Sequence, residues 1–101
     1  MVDVSAKEAT LRRAKARGSV TMDKKTLALV AKEKMTKGNV LGTARIAGIM
    51  AAKKTGEMIP LCHPLALTDI ELNLEIDHKK SRVNIEAKVK TIGRTGVEME
   101  A

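Results

Sequence analysis

The chain has no phenylalanine, tyrosine or tryptophan. That absence excludes single-strand nucleic-acid binders that stack bases on rings, and it excludes the aromatic surface of an RNA-recognition sheet. The core has to be built from Leu, Ile, Val, Met and Ala, with six methionines that fill gaps but specify packing loosely. One cysteine permits no disulfide within the chain. No apolar run approaches the roughly 18 residues of a membrane span, and the N-terminus shows no signal-peptide pattern. These absences point to a soluble cytoplasmic protein with no membrane partner.

What is present starts with size and charge. A chain of 101 residues is expected to form one domain, residues 1–101. At this length only about two thirds of the unfolded surface is buried, so association with further copies would help. The formal charge is +7, from 19 Lys and Arg against 12 Asp and Glu. An anionic partner follows, either nucleic acid or a phosphorylated small molecule, against the plainer reading of a solvated basic surface.

Alternation marks the strands. Ala14, Ala16, Gly18, Val20 and Met22 fall on one side of a predicted strand, with Arg13, Lys15, Arg17, Ser19 and Thr21 on the other. Ile70, Leu72, Leu74 and Ile76 alternate with acidic residues, and Val83, Ile85, Ala87 and Val89 alternate with largely basic ones. Asp77 to Ser81 joins these two as a hairpin with cross-strand charge pairs expected. Asp23 is a good N-cap for a helix from Lys24 to about Met35. Thr36-Lys37-Gly38-Asn39 reads as a turn before a second helix from Val40 to Lys54. That helix is apolar nearly all round, so deep burial is expected. Gly42 and Gly48 are read as places where another backbone approaches, and Gly56 as the C-terminal cap. Gly93-Arg94-Thr95-Gly96 forms a tight turn, and Val97 to Ala101 resembles the first turn of a helix. A helix of five residues cannot stand alone, so truncation at the C-terminus is expected.

Both prolines, the cysteine and one histidine lie in Ile59-Pro60-Leu61-Cys62-His63-Pro64-Leu65. Two prolines hold Leu61, Cys62 and His63 in a stiff, non-helical segment. A zinc site needs three or four ligands, and one Cys with two His does not supply them, so no metal is expected. A Cys–His nucleophile pair is disfavoured because successive residues of an extended segment point apart. His63 is of the right chemistry to move a proton near neutral pH. Lys37 beside Gly38 before a helix is a candidate phosphate contact, although no P-loop pattern exists.

Four stretches carry a resemblance: Met1 to Ser5, Thr43 to Ile49, Pro60 to Leu65, and Thr95 to Ala101. In that order and spacing the chain strongly resembles the molybdenum cofactor biosynthesis protein C family (MoaC), the cyclic pyranopterin monophosphate synthases. The resemblance implies an α+β, ferredoxin-like fold in which an antiparallel sheet packs against helices. It implies a lyase of molybdopterin synthesis that turns a cyclised dihydro-GTP into a pyranopterin with a cyclic phosphate, releasing pyrophosphate. It further implies a hexamer, a trimer of dimers, with active sites at subunit interfaces, no cofactor and no nucleic-acid partner. Carried over residue by residue, Leu61, Cys62 and His63 line the pterin pocket, and Glu98, Met99 and Glu100 meet the ligand. Lys37, Lys53 and His63 take the catalytic roles. Lys37 acts as an acid/base or phosphate-positioning group, Lys53 stabilises phosphate charge, and His63 orients substrate or moves a proton. Members of the family continue past the Glu-Met-Glu-Ala motif into a helix bearing a catalytic aspartate and lysine, and this 101-residue piece alone is expected to have little activity. The alternative functions are a non-catalytic basic module for nucleotide or nucleic acid, and a structural subunit that completes another chain's site.

Overall fold

A computed structural model of the chain describes residues 1–101. In chain order the elements are β1 (Thr10–Thr21), α1 (Lys24–Ala31), α2 (Val40–Lys53), α3 (Thr55–Met58), β2 (Asp69–Asp77) and β3 (Arg82–Gly93). The sheet has the order β1-β3-β2, with both outer strands antiparallel to β3. β1 and β2 are therefore parallel, separated by β3 and connected through the helices. That is the split βαβ arrangement of an α+β, ferredoxin-like fold.

Register explains the two faces. Val89 lies between Ala14 and Ile70, Ala87 between Ala16 and Leu72, and Val83 between Val20 and Ile76. These apolar rows turn one face of the sheet inward, and Val83 and Val89 are buried there. The opposite face carries the charged residues. Its ion pairs run Arg17 to Glu86 at 2.7 Å across β1–β3, Asp77 to Arg82 at 3.5 Å across β2–β3, and Lys88 to Glu86 at 3.5 Å along β3. The expected acid-to-base pairing of β2 with β3 is thus realised at one rung. Asp69 faces Lys90, and Glu71 faces Lys88, without closing into pairs.

Several local expectations change. α1 stops at Ala31 because the chain closes a Schellman motif. Lys34 N–H donates to Leu29 O at 2.8 Å and Glu33 N–H to Val30 O at 3.2 Å, with Glu33 left-handed at φ 56°. α2 is capped by Asn39, whose Oδ1 accepts from Gly42 N–H at 2.8 Å, and ends one residue early with Lys54 as C-cap. A short helix then follows, so Gly56 is not a cap. A Cβ on Gly56 would stand 3.1 Å from Pro64 Cα and 3.3 Å from His63 O, and this is where a second backbone approaches. At Gly42 and Gly48 the near neighbours are side chains, Asn39 and Leu72. Nor is α2 deeply buried: Ile46 is 63% and Met50 52% exposed. The helix lays only one stripe against β2, and nothing in residues 1–101 covers the other. Nine residues are buried in all, a thin core that agrees with the low burial expected of so short a chain.

The molecule is elongated, 53 × 24 × 21 Å, with a radius of gyration of 16.4 Å. A compact chain of this length would have about 13 Å. Length comes from the twelve-residue strands β1 and β3. The Asp77–Ser81 hairpin is pinned at one end, where Ser81 Oγ donates to Met22 O at 2.6 Å and Met22 N–H to Ser81 O at 2.9 Å. At the other end the proline-bracketed segment meets both chain ends.

Candidate active site

Pro60 does more than stiffen its segment. Cys62 N–H donates to Ile59 O at 3.3 Å, so Ile59–Cys62 closes a β-turn with Pro60 at its second position. Leu61, the third position, has φ 66°. Glycine usually fills that place in a type II turn, and a branched side chain there is strained. The expected extended course therefore fails at Leu61, which swings out to 78% exposure. Local strain of this kind persists when the surroundings over-determine it, and it clusters at functional sites.

Beyond the turn, the segment is tied down. Thr91, 1% exposed on β3, donates its Oγ1 hydrogen to Ala66 O at 2.6 Å. Gly56 lets His63 and Pro64 lie against α3. Val97, also 1% exposed, anchors the residues after the Gly93–Gly96 turn. Ala101 N–H donates to Val97 O at 3.1 Å, so Val97–Ala101 forms the expected single helical turn.

These constraints bring separate stretches around one cleft of about 360 Å³. Leu61, Cys62 and His63 form one wall, and Glu98, Met99 and Glu100 another. The third wall was not expected as part of a site: Val2, Asp3, Val4 and Lys7. This N-terminal segment is strapped on by two side chains. His63 Nε2 lies 2.7 Å from Val2 O, and Arg94 Nε donates to Lys7 O at 3.1 Å. Because a carbonyl only accepts, His63 Nε2 is the donor in this bond. Asp3 accepts from Ser5 N–H at 2.9 Å and from Ser5 Oγ at 2.6 Å, and these bonds hold its carboxyl below the usual range. That Asp-x-Ser turn was the one local signal in the sequence for an ordered N-terminal segment.

Glu100 is buried to 7% exposure, and its Oε1 lies 3.6 Å from Cys62 Sγ. Its Oε2 has no hydrogen-bond partner. Burial, then the charge of Glu100, the bond to it and the charge of Glu98, push the Cys62 thiol up. A thiol held protonated is a poor nucleophile, in keeping with the sequence argument against that role. No group of three or more His, Cys, Asp or Glu is placed to hold a metal ion.

The lysines lie elsewhere. Lys53 opens onto a neighbouring cleft of about 390 Å³ that shares Leu65 and Glu100 with the first. Lys37 is exposed in the turn before α2 and lines neither cleft. A helix rises about 1.5 Å per residue, so the fourteen-residue α2 separates Lys37 from Lys53 by roughly 20 Å. Within one chain the two are not brought together.

The fold is α+β and ferredoxin-like, and its cleft lies between a proline-stiffened turn and the segments Val2–Lys7 and Glu98–Glu100. Comparison with known proteins makes this specific. A profile of the MoaC family matches residues 1–101, and the chain belongs to that family. It is 60% identical over all 101 residues to a cyclic pyranopterin monophosphate synthase of Pelotomaculum thermopropionicum, covering 59% of that protein. Synthases so named from Parvibaculum lavamentivorans and a Roseiflexus species are 57% and 58% identical, with 63% and 64% of their lengths covered. The chain thus spans about three fifths of the length of these relatives.

Proposed function

We propose that the protein of which these residues form part is a cyclic pyranopterin monophosphate synthase, and that residues 1–101 supply one side of its active site. The observation that carries this reading is convergence: three stretches far apart in sequence line one cleft. The substrate is the cyclised dihydro-GTP intermediate, and the products are a pyranopterin with a cyclic phosphate and pyrophosphate.

The cleft's charge sets the orientation. Asp3, Glu98 and Glu100 outnumber Lys7, so the cleft repels phosphates and suits the N–H-bearing ring end of the substrate. The exposed apolar side chains of Leu61 and Met99 offer surface for that flat ring. Phosphates then lie toward Lys53. A cyclic phosphate forms when a substrate hydroxyl attacks the innermost phosphorus and pyrophosphate leaves. One group must take the hydroxyl proton and a cation must meet the leaving charge. His63, through Nδ1, and Lys53 fit these two tasks. Lys37 lies roughly 20 Å from Lys53 along α2, so a role for it at this site calls for a second copy of the chain, in a homo-oligomer that we take to be a hexamer, a trimer of dimers. A lone cysteine held as a thiol accords with a reducing cytoplasm. Carboxylates spread over the charged sheet face count against nucleic acid as the partner.

The test is turnover by the whole protein. Cyclised dihydro-GTP should give one pyrophosphate per pterin formed. His63→Gln should lower turnover by roughly 10²-fold or more, and Arg17→Ala on the far sheet face should leave it unchanged. No turnover by the unmodified protein, or equal losses in both variants, would overturn the reading.

A further inference from the structure

Thr95 and Gly96 of the Gly93–Gly96 turn line the cleft, and the one charged side chain of that turn, Arg94, does not. Register shows what Arg94 does instead. β3 ends with Gly93 opposite Thr10, the first residue of β1. Arg94 therefore stands beside the lead into β1, and its Nε donates to Lys7 O at 3.1 Å. The segment held in this way has little else to fasten it. Met1 and Val2 are 68% and 76% exposed, and of residues 1–9 only Val4 is part-buried. It is nevertheless shaped. Ser5 N–H and Oγ donate to Asp3, and Lys7 N–H donates to Val4 O at 3.1 Å, so two turns fold Asp3–Lys7 on itself. Holding Lys7 thus places Val2, whose carbonyl meets His63 Nε2 at 2.7 Å.

We propose that Arg94 is a positioning residue: through Lys7 O it closes the N-terminal segment over the cleft as a strap, and the far end of the strap fixes the ring of His63. The inference rests on the proposed role of His63 in moving a proton, and it adds the device that orients it. An imidazole turns about two side-chain torsions, and a hydrogen bond to a placed carbonyl selects the orientation that proton transfer needs. The strap is built to open. Its attachments are two hydrogen bonds rather than apolar burial, and segments held in this way open at low cost. Opening uncovers the wall formed by Val2, Asp3, Val4 and Lys7 and gives a ligand its way in, and closing restores the bond to His63.

Two measurements on the whole protein test this. The first is limited tryptic cleavage of the Lys7–Glu8 bond, followed by mass spectrometry. Trypsin must engage Lys7 O, the oxygen that Arg94 holds, so cleavage reports opening. Arg94→Ala should speed it by roughly 3–10-fold, the worth of one hydrogen bond, and Arg94→Lys should restore most of the protection. His63→Ala should speed it too, because opening of the strap breaks both bonds. Cleavage after Lys79, at the opposite end of the molecule, should not change. The second is a double-mutant cycle on turnover. Arg94→Ala as a single variant should lose roughly 3–10-fold in kcat, and it should lose nothing further once His63→Ala is present. Unchanged cleavage in Arg94→Ala, or protection of Lys7–Glu8 indifferent to His63→Ala, would overturn the strap. Additive losses in the cycle would make Arg94 a direct contact of the ligand and overturn its positioning role. An inactive unmodified protein would defeat the synthase reading instead, and the cleavage rates would still decide the strap.

Discussion

Val97 links the thin core to the cleft, so Val97→Ala should damage both. The side chain is 1% exposed, and its residue opens the turn that carries Glu98, Met99 and Glu100. Truncation removes two methyl groups from a dry site, at about 0.8 kcal/mol each in transfer free energy. Incomplete collapse around the void raises the loss to about 2–3 kcal/mol. With nine residues buried, total stability should sit near the lower end of the roughly 5–15 kcal/mol usual for domains. The change is then a large fraction of the whole. Urea unfolding followed by far-ultraviolet circular dichroism is the assay, since residues 1–101 contain no aromatic reporter. With a slope of about 1.5 kcal/mol/M, the midpoint should fall by roughly 1.3–2 M at unchanged slope. Cys62 should alkylate faster as the Glu100 turn loosens. A stability loss below about 0.5 kcal/mol would refute the assignment of Val97 as the anchor.

Further predictions concern turns, caps and pH. Glu33→Gly should stabilise by about 1 kcal/mol in thermal unfolding, because Glu33 occupies the left-handed position of the α1 Schellman motif. Leu61→Gly should likewise raise the melting temperature while weakening ligand binding, since it relieves φ 66° and removes an exposed apolar contact from the cleft. Thr91→Val keeps shape but leaves Ala66 O without its donor, costing about 1–3 kcal/mol and loosening the proline segment. Asp23, Asp77 and Glu86 are held below the usual carboxylate range chiefly by hydrogen bonds from the Thr26 backbone, the Lys80 backbone and the Arg17 side chain. Depressed carboxyls stabilise the fold above their unfolded values near 4, and that share fades as pH falls through the lower folded values. Melting temperatures from pH 6 to 3 should drop accordingly, and the drop should be shallower in Asp23→Asn.

The strands and both long helices were legible because each has a period and a start signal in its own residues. Alternation placed β2 and β3 to within a few residues, and Asp23 and Asn39 stand at the helix starts. What was illegible depended on contacts between distant segments. The end of α1 is a left-handed Glu33, a residue type that gives no sign of a stop. The burial of α2 was overestimated because an apolar composition states a need for cover without saying whether these residues supply it. For the cleft, the proline segment and the Val97–Ala101 turn were both visible as motifs. That they share a wall with Val2 to Lys7 depends on His63 reaching Val2 O and Arg94 reaching Lys7 O, bonds spanning 61 and 87 residues. Position along α2 was readable too: Lys37 precedes the fourteen-residue helix and Lys53 ends it, and helix rise alone keeps them apart.

The central claim is that ligand binds between Leu61–His63 and Glu98–Glu100. A rival groove exists, about 530 Å³ on the charged sheet face among Arg17, Ser19, Asn73, Glu75, Arg82, Asn84 and Glu86. A crystal structure of the whole protein with guanosine triphosphate decides between them. The account predicts the purine edge against Glu100, with phosphates directed toward Lys53. A ligand seated instead on the charged sheet face, with the Cys62 cleft empty, would contradict it.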